Sequence, residues 1–142
     1  MRALFDVNVL IALFDPDHVH HERAHAWWKG NKASGWASCP LTENGFVRIL
    51  SQPKYPNAIS TQDAIRRLSQ SIGHGGHEFW VDDVSLTDAS VFLSEHMLGR
   101  RQITDLYLLA LAVRNSGRLV TFDQSIPISA IAGSKPTHRI VL

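Results

Sequence analysis

Apolar residues along the chain fall into short runs closed by a polar residue and longer stretches with helical spacing. The short runs predict buried strands of a parallel sheet. The longer stretches predict amphipathic helices with one buried side. The predicted strands cover residues 3–5, 35–39, 79–84 and 119–122, with an edge strand at 139–142. The predicted helices cover residues 9–14, 18–30 (capped by Asp17), 41–50, 60–72 and 103–113, with a further helix starting at Thr87.

Strands and helices alternate from one end of the chain to the other. This order predicts an α/β fold with a mainly parallel sheet, because parallel strands need crossover connections that are usually helical. We find no internal repeat, low-complexity tract or linker in the 142 residues. A chain near this length buries roughly 68–70% of its unfolded surface, which is enough for a full core. We therefore expect residues 1–142 to form a single domain.

Composition and charge narrow the function classes. The 14 Lys and Arg residues nearly balance the 13 Asp and Glu residues, for a formal charge of +1. This balance excludes a histone-like polycation but allows a local basic patch. The single cysteine, Cys39, excludes an internal disulfide and favours a reducing compartment. The longest apolar stretch, residues 9–14, is far shorter than the roughly 20 residues that span a membrane. We expect a cytoplasmic protein with no membrane partner.

Four carboxylates stand apart from the others, which suit caps, turns and solvated helix faces. Asp6 and Asp123 each end an apolar strand, whereas Glu43 and Asp105 each lie in the first turn of a predicted helix. In an open α/β sheet, ligands bind at the carboxyl ends of the strands, where all four belong. Clustered carboxylates there imply bound cations, and oxygen ligands suit Mg²⁺ or Mn²⁺. The alternative is that Glu43 and Asp105 merely favour helix N-termini, each behind a capping threonine.

These acids, taken with their surroundings, resemble the PIN-domain nucleases, and more narrowly the VapC toxins of bacterial toxin–antitoxin pairs. The resemblance covers residues 2–142. It implies a PIN-like three-layer sandwich, with a central, mainly parallel sheet of four to five strands flanked by helices. The segments that carry it are FDVNVL at 5–10, TE at 42–43, TD at 104–105, LALA at 109–112 and VTFD at 120–123.

The resemblance implies an endoribonuclease that needs Mg²⁺ or Mn²⁺. Asp6 and Asp105 would be the main metal ligands, and Glu43 and Asp123 would complete the catalytic site directly or through waters. Such metal chemistry fits the absence of any Ser-His-Asp or Cys-His signature. The supporting polar groups would be Asn8 and Thr121.

The resemblance also implies partners. A small VapB-like antitoxin would wrap the toxin and obstruct its site, the substrate would be RNA, and a homodimer is common in the family. Arg100 and Arg101 lie just before Asp105 and could contact RNA phosphates. An ordinary solvated turn explains the two arginines equally well.

Two other functions compete with this one. The segment His21-Glu22-Arg23-Ala24-His25 matches the H-E-x-x-H zinc peptidase pattern, and Glu43 could be a third ligand. A chance match is easy here, however, because residues 18–25 are rich in histidine. The other alternative is a non-catalytic PIN-like binding module, which the presence of all four acids disfavours.

Overall fold

The fold is built on a five-stranded sheet in which every neighbouring pair of strands is parallel. The computed structural model describes residues 1–142. The strands are β1 Ala3–Phe5, β2 Trp36–Ser38, β3 His77–Phe79, β4 Arg118–Thr121 and β5 Arg139–Val141. The helices are α1 Val7–Phe14, α2 His21–Asn31, α3 Pro40–Leu50, α4 Thr61–Gly73 and α5 Ile103–Arg114. The parallel sheet and the edge strand at β5 confirm the predicted fold class.

The strand order is β3-β2-β1-β4-β5. The chain therefore builds outward from β1 through β2 to β3, and then returns past β1 to add β4 and β5 on the other side. The direction of winding reverses between β1 and β4. In open α/β sheets the carboxyl ends of the strands part at such a switch point and leave a crevice where ligands bind.

Alternate residues of the central strands face two separate cores. Leu4 and Leu119 pack with α5 on one face of the sheet. Phe5 and Val120, their neighbours in sequence, pack with α1 to α4 on the other face. Because side chains alternate across a strand, a three-residue strand can serve both cores. The two cores give the three layers of an α/β/α sandwich, which confirms the predicted architecture.

Helix α5 is the most deeply buried helix. Seven successive residues, from Leu106 to Ala112, are all buried. A helix that is apolar on all sides is stable only inside the protein. The prediction of a central helix at 103–113 is therefore confirmed, and its buried body fixes the position of Asp105 in its first turn.

The predicted strand at 79–84 is wrong. Strand β3 ends at Phe79, and Asp83 N–H already turns back to the carbonyl of Val81 (3.0 Å). The reason is that β3 pairs only with β2, which ends at Ser38 because α3 begins at Pro40. A strand without a neighbour to pair with stops, whatever its own pattern.

The predicted helix from Thr87 is also wrong. Residues 87–99 form turns, a short 3₁₀ turn at Ser94–His96 and an isolated antiparallel bridge between Phe92 and Ile131. Phe92 N–H closes one turn onto the Asp88 carbonyl (2.9 Å), but Leu93 N–H then donates to the carbonyl of Ala130 (2.9 Å), so the turn does not continue as a helix. Burial of Phe92 against α5 supplies the tertiary contact that overrides the local pattern.

Two helix starts differ from prediction as well. Asp6 caps α1, which therefore starts at Val7 instead of residue 9. Asp17 does not cap α2, because that helix starts only at His21, with His20 in the cap position and no side-chain cap bond.

None of the helices combines the length and the apolar character needed to cross a bilayer.

Candidate acidic site at the sheet edge

Asp6 lies directly after β1, at the switch point, and is only 6% exposed. Its Oδ1 accepts a hydrogen bond from the Val9 amide (2.8 Å), which caps α1. Burial raises the pKa of Asp6, and the nearby charge of Asp123 raises it further. The Thr121 hydroxyl and the amides of Val9 and Asn8 offset part of this effect. Asp6 is thus a buried acid whose three hydrogen bonds do not offset the cost of burying its charge.

Asp105 lies in the first turn of α5 and is partly buried. Burial, together with the charges of Asp6 and Asp123, raises its pKa to about 6. The structure therefore brings these three aspartates within electrostatic reach of one another. They come from three separate segments that meet at the crevice between β1 and β4.

Asp123 follows β4, and its hydrogen bonds outweigh the effect of its burial. Its Oδ1 accepts from the backbone amide (2.7 Å) and the hydroxyl (2.6 Å) of Ser125. These bonds lower the pKa of Asp123, and Arg139 lowers it further. The Asp123 amide donates to the Thr121 hydroxyl oxygen (3.0 Å), and Thr121 is fully buried. Thr121 thus lies between Asp6 and Asp123 and touches both.

Glu43 lies in a different environment. It is in the first turn of α3, and its Oε1 accepts a hydrogen bond from the Ser38 hydroxyl (2.6 Å). The same hydroxyl lies 2.8 Å from Nε2 of His77. The structure therefore brings Asp6, Asp105 and Asp123 within electrostatic reach of one another, and it holds Glu43 by a hydrogen bond from Ser38, which also contacts His77.

The donor set of the aspartate cluster fits a hydrated hard cation. No three acidic, histidine or cysteine side chains converge closely enough to hold a metal ion by themselves. Mg²⁺ does not require such a cage, since it is usually bound through one or two carboxylates and keeps several waters. Asp6 and Asp105 repel each other, and a cation between them would relieve that repulsion.

The other predicted site residues are placed as follows. Asn8 is exposed in the first turn of α1, beside Asp6. Arg100 and Arg101 are exposed in a 3₁₀ turn that leads directly into α5, and neither forms an ion pair. Both guanidinium groups are thus available to solvent on the segment that precedes Asp105.

The H-E-x-x-H segment does not form a three-ligand zinc site. His21 and His25 do lie close together on α2, with ring centroids 4.7 Å apart. Nδ1 of His21 is 2.7 Å from the Ala12 carbonyl, which orients the ring toward the core. Glu43, the expected third ligand, is held by Ser38 instead, and no third ligand joins the two histidines.

Comparison with known proteins supplies the family. The family model of the PIN domain matches residues 3–132. The chain belongs to the PIN domain family. This PIN domain is 52% identical over all 142 residues to Ribonuclease VapC44 of Mycobacterium tuberculosis, with 100% of both chains covered. It is also 50% identical over 125 residues to Ribonuclease VapC38 of the same organism, covering 87% of this chain and 86% of that one. These identities place it among the VapC proteins.

A solved structure has the same fold at low sequence identity. The crystal structure of VapBC2 from Rickettsia felis, bound to a DNA fragment from its promoter, has a TM-score of 0.59 at 12% identity. The match covers 100% of this PIN domain and 98% of that chain. At this identity the likeness supports the fold alone.

Sequence reasoning missed two residues near the site of this PIN domain. Ser38 falls within the predicted strand at 35–39, and His77 lies outside every predicted helix and strand. The sole signal for them is the parallel register, in which Trp36 lies opposite His77 and Ser38 opposite Phe79. That register is a tertiary property, so spacing along the chain could not reveal it.

Proposed function

We propose that this VapC protein is an endoribonuclease that depends on Mg²⁺ or Mn²⁺ and is the toxin of a toxin–antitoxin pair. The observation that carries the proposal is the cluster of Asp6, Asp105 and Asp123 at the β1/β4 switch point. Two of these acids have a raised pKa, as expected of carboxylates that await a cation. The cluster occurs in a chain that is 52% identical, over its full length, to a protein named a ribonuclease.

In this proposal Asp6 and Asp105 hold the cation, and Asp123 and Glu43 act on its waters or directly. The bound cation would polarise a phosphoryl oxygen and lower the pKa of a water molecule. Asp6 is kept in place by the Val9 amide and by buried Thr121. Asp105 is kept in place by the rigid body of α5.

The substrate and partners follow from the same proposal. Arg100 and Arg101 contact RNA phosphates, since both are exposed on the segment that precedes Asp105. A VapB-like antitoxin is the protein partner, in line with the VapBC complex of the structural neighbour. A homodimer belongs to the proposal as well. An RNA substrate and the free, buried Cys39 suit the cytoplasm.

RNA cleavage by the purified protein tests the proposal. End-labelled RNA is incubated with the protein in Mg²⁺, Mn²⁺ or EDTA, and the products are mapped. We expect internal cuts with either metal and none in EDTA. Asp6→Asn should slow cleavage on the order of 10²–10³-fold. Asparagine is as good a helix cap as aspartate, so α1 stays capped. Equal cleavage by Asp6→Asn, or undiminished cleavage in EDTA, would contradict the proposal.

Thermal stability separates the nuclease from a non-catalytic binding module. A cation that binds only the folded state raises the melting temperature. We expect Mg²⁺ and Mn²⁺ to raise the melting temperature of the wild type but not that of an Asp6→Asn/Asp105→Asn double variant. Identical melting temperatures with and without either metal would favour the binding module.

A further inference from the structure

A hydrogen-bonded chain of three side chains runs beneath the predicted acid Glu43. The Ser38 hydroxyl lies 2.6 Å from Oε1 of Glu43 and 2.8 Å from Nε2 of His77. Ser38 ends β2, Glu43 belongs to α3 and His77 begins β3. Three separate elements therefore meet at one serine hydroxyl that is only 1% exposed.

The protons that each of the three side chains can donate fix the direction of both hydrogen bonds. An ionised carboxylate only accepts, so the single hydroxyl proton of Ser38 is donated to Glu43. The oxygen of Ser38 then accepts from His77, which must carry a proton on Nε2. Ser38 is shielded from solvent, so no water molecule competes for either of these hydrogen bonds. A serine nucleophile is excluded as well, because a hydroxyl this deeply buried meets no substrate.

The position of His77 is set by the sheet and not by Glu43. Its ring packs edge-on against Trp36, its partner in the parallel register, with centroids 4.4 Å apart. Arg2 holds the start of β3 through a hydrogen bond to the Gly76 carbonyl (2.7 Å) and an ion pair with Glu78 (3.0 Å). His77 is therefore a fixed donor against which Ser38, and through it Glu43, is aligned.

The two carboxylate oxygens of Glu43 therefore differ in their hydrogen bonding. Oε1 is occupied by Ser38, whereas Oε2 has no hydrogen-bond partner in the protein. Folding alone does not require this arrangement, since an acid in the first turn of a helix is stabilised equally well in solvent. We propose that Ser38 and His77 are positioning residues, which hold Glu43 in one orientation with Oε2 free for the waters of the bound cation. This inference rests on the proposed function.

Metal affinity measured without RNA tests the inference. Mn²⁺ binding is followed by calorimetry in the wild type, Ser38→Ala, His77→Leu and His77→Gln. We expect Ser38→Ala and His77→Leu to weaken Mn²⁺ binding about 10-fold, as outer ligand partners commonly do. His77→Gln should stay near wild type, because its amide nitrogen can replace Nε2 as a donor. In cleavage assays the first two variants should need more Mg²⁺ while their KM for RNA is unchanged.

Ser60→Ala is the matched control. Ser60 caps α4 by accepting from the Asp63 amide (3.1 Å) and makes no hydrogen bond with the three side chains. The control should lower the melting temperature without changing Mn²⁺ affinity. A change in Mn²⁺ affinity as large as that of Ser38→Ala would show that the effect is only structural and overturn the inference.

The protonation of His77 gives a readout that does not depend on activity. Nitrogen-15 NMR of the metal-free protein should show the Nε2–H form of neutral His77. The Nδ1–H form would overturn the inference, as would wild-type Mn²⁺ affinity in folded Ser38→Ala or in His77→Leu. If the wild type cleaves RNA with Mg²⁺, these outcomes leave the proposed function standing. A wild type that neither binds Mn²⁺ nor cleaves RNA removes the proposed function and the inference together.

Discussion

Two acidic regions of this PIN domain differ in how their carboxylates are stabilised. Around the crevice between β1 and β4, Asp6 and Asp105 lie close to further negative charge, and their pKa is raised. At the end of β2, Glu43 instead accepts a 2.6 Å hydrogen bond from Ser38. In the first region burial and neighbouring charge outweigh the hydrogen bonds of the carboxylates. In the second, a buried hydroxyl holds one oxygen of a single carboxylate.

The difference indicates that the two regions have different roles in the site. Uncompensated carboxylates oppose folding, so their presence at a ligand-binding edge points to a cation that compensates them. A carboxylate held by a buried serine contributes a fixed direction more than a strong charge. The aspartates should therefore determine whether metal binds, and Glu43 how its waters are arranged.

Charge removal in the two regions gives the largest expected effect. Under the proposed function, Asp105→Asn should reduce Mg²⁺-dependent RNA cleavage on the order of 10²–10³-fold, because it would remove a direct ligand. Glu43→Gln should cost only about 10-fold, since the amide oxygen can still accept from Ser38. Single-turnover cleavage rates at saturating RNA measure both. Equal losses in the two variants would erase the distinction between the regions.

The spacing between the two regions depends on Gly45. A Cβ at this position would lie 2.6 Å from Cγ2 of Val7, the residue that follows Asp6. Gly45→Ala should therefore push α3 from α1 and destabilise the fold by about 1–3 kcal/mol, measured by urea unfolding. Gly30→Ala is the control, because its Cβ would meet nothing within 4 Å.

The control variant Gly30→Ala should be neutral or more stable by about 0.5–1 kcal/mol, the usual gain from replacing a helical glycine. Val7→Ala in the Gly45→Ala background should recover part of the loss, because it removes the methyl groups that clash. If Gly45→Ala is as stable as Gly30→Ala, the close approach of the two helices does not constrain the site.

The pH dependence of the metal-free protein gives the smallest effect. The pKa of Asp105 is about 6 in the fold, against an ordinary value of 3.8. A raised pKa stabilises the fold fully below the ordinary value, and this stabilisation is lost as the pH rises through about 6. In EDTA, Asp105→Asn should therefore melt a few degrees above wild type at pH 7, and the difference should shrink as the pH falls toward 4.

A constant difference in melting temperature across this pH range would mean that neither burial nor the neighbouring aspartates raise the pKa of Asp105. Added Mg²⁺ should remove the advantage of Asp105→Asn at pH 7, because only the wild type retains the full pair of ligands. Differential scanning fluorimetry in buffers of equal ionic strength is sufficient for the comparison.

The parts of the fold that were predictable are those whose pattern is local. Helix α5 was recognisable because residues 106–112 are apolar on every side. Strand β3 was misplaced because its length is set by β2, which ends early at Ser38. The false helix from Thr87 failed for a similar reason, since Phe92 is held by a distant bridge to Ile131. Partners far along the chain leave no periodic signal.

The candidate site also has a part that follows from local sequence and a part that depends on distant segments. Asp6 and Asp123 could be placed at one edge because each follows an apolar strand, and parallel strands align their carboxyl ends. The assignment of a role to each acid remains a prediction. The hydrogen bond between Ser38 and His77 could not be foreseen, because it depends on the register of two strands whose residues are far apart in sequence.

The order of the strands has a consequence for how the protein is made. Strand β1 is synthesised before the other four strands, yet Phe5 pairs with Val120, which is synthesised much later. Contacts between such distant segments form late and slowly. A partly synthesised chain therefore contains Asp6 but not the crevice that joins it to Asp123. Under the proposed function, a nascent toxin stays harmless until β4 has been made and has paired with β1.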